Sequence, residues 1–223
     1  MLKESAEKVY INDGNKDVAK LVSRRESRIL DVGCGSGVLG KILSEKGHIV
    51  DGITISPAEY ETAKIYLDNT FIHNLETGLP DAIETQTYDY VICSHVLEHI
   101  VYPDKLLGDI LKVLKHGGIL IVALPNIMHY KSRMKLAIGK FDYEDAGLWD
   151  YTHVKWYTFE TAKKLFVEHG FSIELAMVTG ELPFNSFFSK IFSSRMSSKI
   201  FKLLTKVSRG FFGYQLLYMA RKY

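Results

Sequence analysis

Apolar residues along the chain fall into short runs of strand length, each followed by a segment with helical spacing. Arg28 to Val32, His48 to Ile53, Thr70 to His73, Tyr88 to Cys93, Ile119 to Leu124, Phe171 to Val178 and Tyr214 to Met219 read as strands. Val38 to Lys46, Pro57 to Leu67, Asp104 to Leu114 and Phe159 to His169 read as helices. In the third of these, apolar positions 106, 107, 110, 111 and 114 share one face. Capping residues mark the boundaries. Ser56 precedes Pro57 as an N-cap, Thr158 caps the helix that begins at Phe159, and Gly170 ends it. His116-Gly117-Gly118 is expected to end the helix before Ile119. Ile119-Leu120-Ile121-Val122-Ala123 is apolar without alternation, the pattern of a strand buried on both faces. The order β-α-β-α-β…β-α-β predicts an α/β fold whose parallel sheet carries helices on both faces.

Three stretches stand outside this rhythm. Residues 1–27 form a helical lead-in, broken by the turn signal Asn12-Asp13-Gly14-Asn15, ahead of a main domain over 28–223. Residues 126–152 form an insertion, a lid, carrying His129, Tyr130, Phe141, Tyr143 and Trp149. Residues 182–212 form a second, basic insertion before the last strand.

Composition narrows the class. The chain has 223 residues, 47% hydrophobic and 24% charged, which suits one globular α/β domain. No run approaches the ~18 to 20 apolar residues of a membrane span. The polar start Met1-Leu2-Lys3-Glu4-Ser5 lacks a signal core, so a cytoplasmic location is expected, with peripheral attachment to the inner membrane face as an extension. Cys34 and Cys93 make no disulfide framework and have no zinc spacing, and no metal ligand set is read from the sequence.

The net charge of +2 is unevenly spread. From Leu182 to Tyr223 there are eight Lys or Arg and no acid, leaving 20 basic against 26 acidic side chains elsewhere. Arg195, Lys199, Lys202, Lys206 and Arg209 fall on one helix face. Phe192, Met196, Ile200, Leu203 and Val207 fall on an adjoining one, flanked by Phe187, Phe188, Phe211 and Phe212. Such a helix either packs on its own sheet with a solvated rim or lies on a membrane through residues 184–210. The acidic remainder and the lack of a binding module oppose a nucleic-acid partner.

The strongest chemical signal is Ile29-Leu30-Asp31-Val32-Gly33-Cys34-Gly35-Ser36-Gly37, glycines directly after a strand and ahead of a helix N-terminus. Gly35-Ser36-Gly37-Val38-Leu39-Gly40 also matches the dinucleotide pattern G-x-G-x-x-G. Asp31 separates the two readings. An acid at the strand end suits a cofactor carrying a positively charged amino-acid group and repels a pyrophosphate.

Asp31 to Gly37 resembles the first motif of class I S-adenosylmethionine-dependent methyltransferases. Tyr88-Asp89-Tyr90-Val91-Ile92-Cys93-Ser94-His95-Val96-Leu97-Glu98-His99 resembles their fourth-strand motif, and Leu114-Lys115-His116-Gly117-Gly118-Ile119-Leu120 the turn into their fifth strand. Leu124-Pro125-Asn126, with Gly147-Leu148-Trp149-Asp150-Tyr151-Thr152-His153-Val154-Lys155-Trp156-Tyr157-Thr158, resembles a subgroup common in bacterial glycan and cell-surface assembly. The resemblance implies a Rossmann-like, mostly parallel sheet of seven strands, the last antiparallel, with the ligand at the strands' carboxyl ends. It implies S-adenosyl-L-methionine as cofactor, held by Asp31, Gly33, Cys34, Gly35, Gly37, Thr54, Ile55, Asn74, Leu75, Ser94 and His95. Two positions depart from the pattern. Thr54 stands where an acid usually holds both ribose hydroxyls, and Asp51, three residues earlier, should point to the other face. Asn74 stands where an Asp often meets the adenine amino group.

Methyl transfer from a sulfonium is an in-line displacement, so the protein mainly orients the acceptor and excludes water. A hydroxyl or carbon acceptor also needs a base, and His95, His99 and His153 are expected at the sheet's carboxyl edge. His153 is the preferred catalytic residue, oriented by Asp150 and Thr152; alternatively Asp150, Thr152 and His153 make turn bonds that hold the lid. His99 reads as structural or close to the cofactor. His129 is either a substrate contact or solvated. Tyr130, Phe141, Tyr143, Trp149, Trp156 and Tyr157 either line an acceptor pocket or pack in the core. The expected acceptor is a small molecule, a sugar or a lipid-linked group, methylated on oxygen. Rival readings are a non-catalytic scaffold, motivated by Thr54, and a nicotinamide-dependent oxidoreductase.

Overall fold

The computed structural model describes residues 13–181, 183 and 193–223. A single sheet of seven strands runs through it in the order β3-β2-β1-β4-β5-β7-β6. The strands are β1 (Arg28–Val32), β2 (Ile49–Thr54), β3 (Asn69–Ile72), β4 (Tyr88–Ser94), β5 (Leu114–Pro125), β6 (Phe171–Thr179) and β7 (Gln215–Lys222). Strands β1 to β5 pair in parallel, and β7 is antiparallel to both β5 and β6. The described helices are α1 (Lys16–Leu21), α2 (Val38–Ser44), α3 (Pro57–Ala63), α4 (Asp81–Glu84), α5 (Pro103–Val113), α6 (Tyr130–Ala137), α7 (Phe159–Glu168), α8 (Ser194–Val207) and α9 (Arg209–Phe212). The sheet is the one the sequence implied. Its order reverses between β1 and β4, which opens a crevice at their carboxyl ends.

Side chains alternate across each strand, so one sheet makes two cores. Leu30, Val32, Val91, Leu120 and Val122 face α5 and α7, with Leu106, Leu107, Ile110 and Phe166 packed on them. Ile29, Ile92, Ile121 and Ala123 face the other way, onto Val18, Leu39 and Leu43 of α1 and α2. Burial on both faces explains why these strands read as continuous apolar runs.

Several boundaries differ from the sequence pattern. Helix α5 stops at Val113, and His116-Gly117-Gly118 lies inside β5 instead of ending the helix. Tyr88 pairs with Leu114 and Tyr90 with Ile119, so the intervening residues bulge outward, with Gly117 at φ +69°. Lys115 in this bulge reaches Asp89 at 2.9 Å. Helix α3 ends at Ala63, four residues before the predicted end, and the chain turns through Leu67 into β3.

Asp51 points away from the crevice, as its register predicts. It is buried and accepts hydrogen bonds from Arg28 Nη2 (2.9 Å), Tyr88 Oη (2.9 Å) and Asn69 Nδ2 (2.7 Å), tying β1, β2, β3 and β4 together. Of the lead-in, residues 1–12 lie outside the described residues; Asn15 caps α1 by accepting from Val18 N.

In the basic insertion, Leu182 and residues 184–192, including Phe187, Phe188 and Phe192, also lie outside the described residues. Helix α8 begins after its N-cap Ser193 and has no buried residue. Ile200, Phe201 and Leu204 are half-buried, whereas Met196, Leu203 and Val207 are 49%, 63% and 79% exposed. The apolar stripe is thus split: part faces the protein and part faces outward beside Arg195, Lys199, Lys202 and Lys206. Among the described residues no helix is long and apolar enough to cross a membrane.

Candidate functional site

A cavity of about 750 Å³ occupies the crevice at the strands' carboxyl ends. The glycine loop after β1, Thr54 and Ile55 after β2, Asn74 to Glu76 after β3 and Ser94 to Ile100 after β4 form its floor and walls. The lid contributes Ala146, Gly147, Asp150 and His153, and residues 13–17 of the lead-in close one side.

The glycine loop is built for close approach. Gly33 has φ +74°, and a Cβ there would lie 2.5 Å from Val96 Cγ2. Cys34 N donates to Ile53 O at 2.8 Å, fastening the loop to β2. Gly37, expected at the ligand, does another job: it caps α2 at φ +80°, where a Cβ would lie 2.9 Å from Ala63 Cα, so it allows α2 and α3 to touch.

Asp31 closes β1 and is buried, with Oδ2 lacking any hydrogen-bond partner. Burial raises its pKa to about 7. Keeping it ionised at neutral pH costs on the order of 4 kcal/mol against a solvated carboxylate, which a cation placed in the cavity would offset. The Cys34 thiol is pushed far up by burial and by the carboxylates of Asp31 and Glu59, so it is no nucleophile.

Glu59 itself is a feature that pattern reading passed over. Ser56-Pro57-Ala58-Glu59 is a capping-box sequence, and Ser56 Oγ does accept from Glu59 N at 3.5 Å. The carboxylate does not return to Ser56. Thr54 Oγ1 accepts from Ser56 N at 3.2 Å and donates to Glu59 Oε2 at 2.7 Å. A buried acid therefore stands beside the end of β2, on the cavity wall, although Thr54 occupies the strand-end position. Asn74 lines the cavity while its Oδ1 accepts from Glu76 N at 3.1 Å, holding the turn Leu75–Thr77.

After β4 the chain makes a strained corner at His95, whose φ is +58°. His95 Nε2 donates to Gln215 Oε1 at 2.9 Å, an oxygen also bonded by Asn15 Nδ2, which in turn donates to Ser94 Oγ. His95 Nδ1 lies 3.2 Å from Glu98 Oε1. Desolvation pulls the His95 pKa down, but the Glu98 hydrogen bond and charge outweigh it and raise the value. The same bond holds buried Glu98 below the usual carboxylate range despite desolvation. An imidazole with both nitrogens on acceptors is a poor base.

His99 and His153 meet edge to face, ring centroids 4.8 Å apart. Burial lowers the His153 pKa, against the opposing charges of Glu98 and Asp150. His153 Nδ1 lies 3.3 Å from Leu148 O, and His99 Nδ1 lies 3.2 Å from Thr152 O. The hydrogen bonds of Asp150 Oδ1 go to Thr152, from N at 2.9 Å and Oγ1 at 2.7 Å, and Thr152 Oγ1 is 3.0 Å from His99 Nδ1. Asp150 thus orients His99 through Thr152, where the sequence suggested that it orients His153. The two chain segments of this corner are locked by Val154 N and Lys155 N, which both donate to Glu98 O.

His129 is neither solvated nor on the cavity wall: it is buried between Tyr130 and Tyr214, and burial lowers its pKa to about 4. The six aromatics proposed for an acceptor pocket do not line the cavity. Phe141 stacks edge-on against Trp149 (4.7 Å), Tyr143 (5.6 Å) and Trp156 (6.1 Å), so the lid's rings pack on each other and on Trp156 just beyond it. The other residues expected at the ligand, apart from Gly37, all border the cavity.

A family model described as a methyltransferase domain matches residues 8–176. A ubiquinone biosynthesis O-methyltransferase of Saccharophagus degradans is 36% identical over 104 residues, covering 42% of this chain and 41% of that protein. An arsenite methyltransferase of Mus musculus is 36% identical over 108 residues, covering 41% of this chain and 28% of that protein. The matching stretches thus span less than half of these two curated relatives. The solved structure of a SAM dependent methyltransferase from Archaeoglobus fulgidus superposes with a TM-score of 0.64 at 21% identity, covering 93% of this chain and 90% of that one. The solved structure of a SAM-dependent methyltransferase from Thermotoga maritima, described as a possible histamine N-methyltransferase, superposes with a TM-score of 0.63 at 16% identity, covering 93% of this chain and 86% of that one. Both share the fold.

Proposed function

This chain belongs to the methyltransferase-domain family, and we propose that it transfers the methyl group of S-adenosylmethionine to an oxygen of a small acceptor. The observation that carries the reading is Asp31: a buried carboxylate oxygen without a partner, at the mouth of a glycine loop. Its chemistry fits an α-ammonium group and opposes the diphosphate of a dinucleotide. When bound, S-adenosylmethionine supplies a methyl group on a positively charged sulfur.

The chain's own residues divide the remaining work. The loop backbone at Gly33, Cys34 and Gly35 lies open to the amino-acid moiety. Glu59, steadied by Thr54, supplies a carboxylate for the ribose hydroxyls, which removes the motive for a scaffold without cofactor. Asn74 and Leu75 border the adenine end. Glu98, His99 and His153 border the same cavity together with the lid residues Ala146, Gly147 and Asp150, at the end left for the acceptor. A buried carboxylate and two imidazoles suit an oxygen acceptor that must lose a proton, and the Saccharophagus degradans relative is named as an O-methyltransferase. A sugar acceptor is supported by the subgroup motif over Gly147 to Thr158 alone.

A lipid-linked acceptor is supported by α8, where Met196, Leu203 and Val207 project outward amid four exposed cations. That arrangement suits an anionic lipid surface.

Calorimetric titration with S-adenosylhomocysteine tests the reading. Saturable binding by the full chain, abolished in Asp31→Ala, is expected. Absence of binding at millimolar ligand, together with stabilisation by NAD or NADP, would overturn it.

A further inference from the structure

Glu98, His99 and His153 come together from two parts of the chain, and their arrangement exceeds what a hydrogen-bonded corner requires. A carboxylate oxygen of Glu98 and one ring nitrogen of each histidine lie within 4.8 Å of one another. Glu98 Oε1 faces His95, while Oε2 is buried without any hydrogen-bond partner. An ionised carboxylate with one oxygen buried and unpartnered is a costly arrangement unless something positive meets it.

The histidines are prepared in the way metal ligands are. The Nδ1 atoms of His99 and His153 lie against backbone carbonyls, Thr152 O and Leu148 O. A carbonyl accepts only, so in each neutral ring the proton sits on Nδ1 and the lone pair on Nε2. Thr152 is fixed in turn by Asp150, giving the carboxylate-backed outer shell that orients ligating imidazoles. Ligands about 2.1 Å from one ion are roughly 3 to 4 Å apart, so atoms that lie within 4.8 Å of one another must draw together to close on it.

We propose that Glu98, His99 and His153 hold a divalent first-row transition-metal ion at the acceptor end of the cavity. Two imidazoles and one carboxylate select such an ion over calcium or magnesium, and three ligands leave coordination positions open. All three residues border the cavity, so the open positions face it. They suit an acceptor with two neighbouring oxygens, a vicinal diol or catechol, which chelates the ion through both. The ion lowers the pKa of one hydroxyl, whose proton passes to solvent. The oxygen–methyl bond then forms as the sulfur–methyl bond breaks, and sulfur keeps the electron pair. This use of the ion rests on the methyl-transfer reading; its binding does not.

Mn²⁺ is the probe. The chelator-treated full chain should bind one Mn²⁺ in calorimetry, and pulsed electron paramagnetic resonance should show coupling to imidazole nitrogen. Glu98→Gln and His153→Ala should each weaken binding by about 100-fold or more, and Thr152→Val, which loosens only the outer shell, by about 10-fold. With Mn²⁺ present, 1,2-dihydroxybenzene should bind more tightly than 1,3-dihydroxybenzene. Wild-type affinity no better than that of Glu98→Gln, or a spectrum without nitrogen coupling, overturns the metal site, the spectrum doing so even if a variant fails to fold. Equal binding of the two diols overturns the acceptor class. S-adenosylhomocysteine binding, measured on the same chelator-treated protein, reports separately on the methyl-transfer reading.

Discussion

Thr54 Oγ1 donates a 2.7 Å hydrogen bond to Glu59 Oε2, so a strand-end threonine and a helix-borne glutamate together present one buried carboxylate at the cavity wall. The acid that β2 lacks is delivered from the first turn of α3, five residues later. Its orientation depends on Thr54, because Ser56 N already bonds to Thr54 and leaves the carboxylate free of its usual capping duty.

Glu59→Gln should therefore weaken S-adenosylhomocysteine binding by roughly 10- to 100-fold, the range of a lost charge-assisted hydrogen bond. Thr54→Val should have a smaller effect in the same direction. Calorimetry on both variants checks this; unchanged affinity in Glu59→Gln would remove the residue from the cofactor site.

Asp31 makes affinity depend on pH. Below about 7 its buried carboxyl keeps its proton in the free protein, and only the ionised form pairs with an ammonium group. S-adenosylhomocysteine affinity should rise by up to about tenfold per pH unit towards pH ~7 and level off above it. Stability moves the opposite way. The folded pKa lies above the unfolded value, so the native state retains a proton that the unfolded chain has released between pH ~4 and ~7. The Asp31 contribution is fully present below that window and is lost as pH rises through it. Asp31→Asn should remove this residue's part of both slopes, read by calorimetry and by denaturant melts across pH.

Asp51 should behave as a structural acid only. Asp51→Ala strands Arg28, Tyr88 Oη and Asn69 Nδ2 and should cost about 3 kcal/mol, with Arg28 partly relieved by solvent. Cofactor affinity of the folded variant should stay within about twofold of wild type, the expectation for a group on the far side of the sheet.

Gly33→Ala should damage the loop from inside. It imposes a side chain at φ +74° and sets its Cβ against Val96. A loss of roughly 1 to 3 kcal/mol in stability is expected, with S-adenosylhomocysteine binding falling at the same time. Thermal melts with and without ligand separate the two effects.

The outward ridge of α8 predicts attachment to lipid. Leu203→Asn with Val207→Asn should reduce co-sedimentation with phosphatidylglycerol vesicles without changing the melting temperature, because both side chains are exposed. Equal sedimentation by the double variant would assign α8 to the protein surface alone.

The sheet was legible in the sequence because each buried strand carries its own apolar run and helices such as those after Ser56 and Thr158 carry their own caps. The glycine loop with Asp31 was legible for the same local reason. His116-Gly117-Gly118 shows where local signals mislead: glycines mark a helix end and a strand bulge alike, and pairing of β4 with β5 selects the bulge. Glu59 stayed hidden inside an ordinary capping sequence, and Asp150 was matched to the histidine nearest in sequence instead of the one it reaches through Thr152.

By itself, the order of residues determined the fold class, the glycine loop that follows β1 and the departure at Thr54, since these depend on neighbours a few positions apart. Only the folded chain decided that Glu59 stands beside Thr54 on the cavity wall, that Phe141 packs on Tyr143, Trp149 and Trp156, and that His153 joins Glu98 and His99. Those outcomes turn on charges removed from water, and the partners of a buried charge are chosen by distance in space.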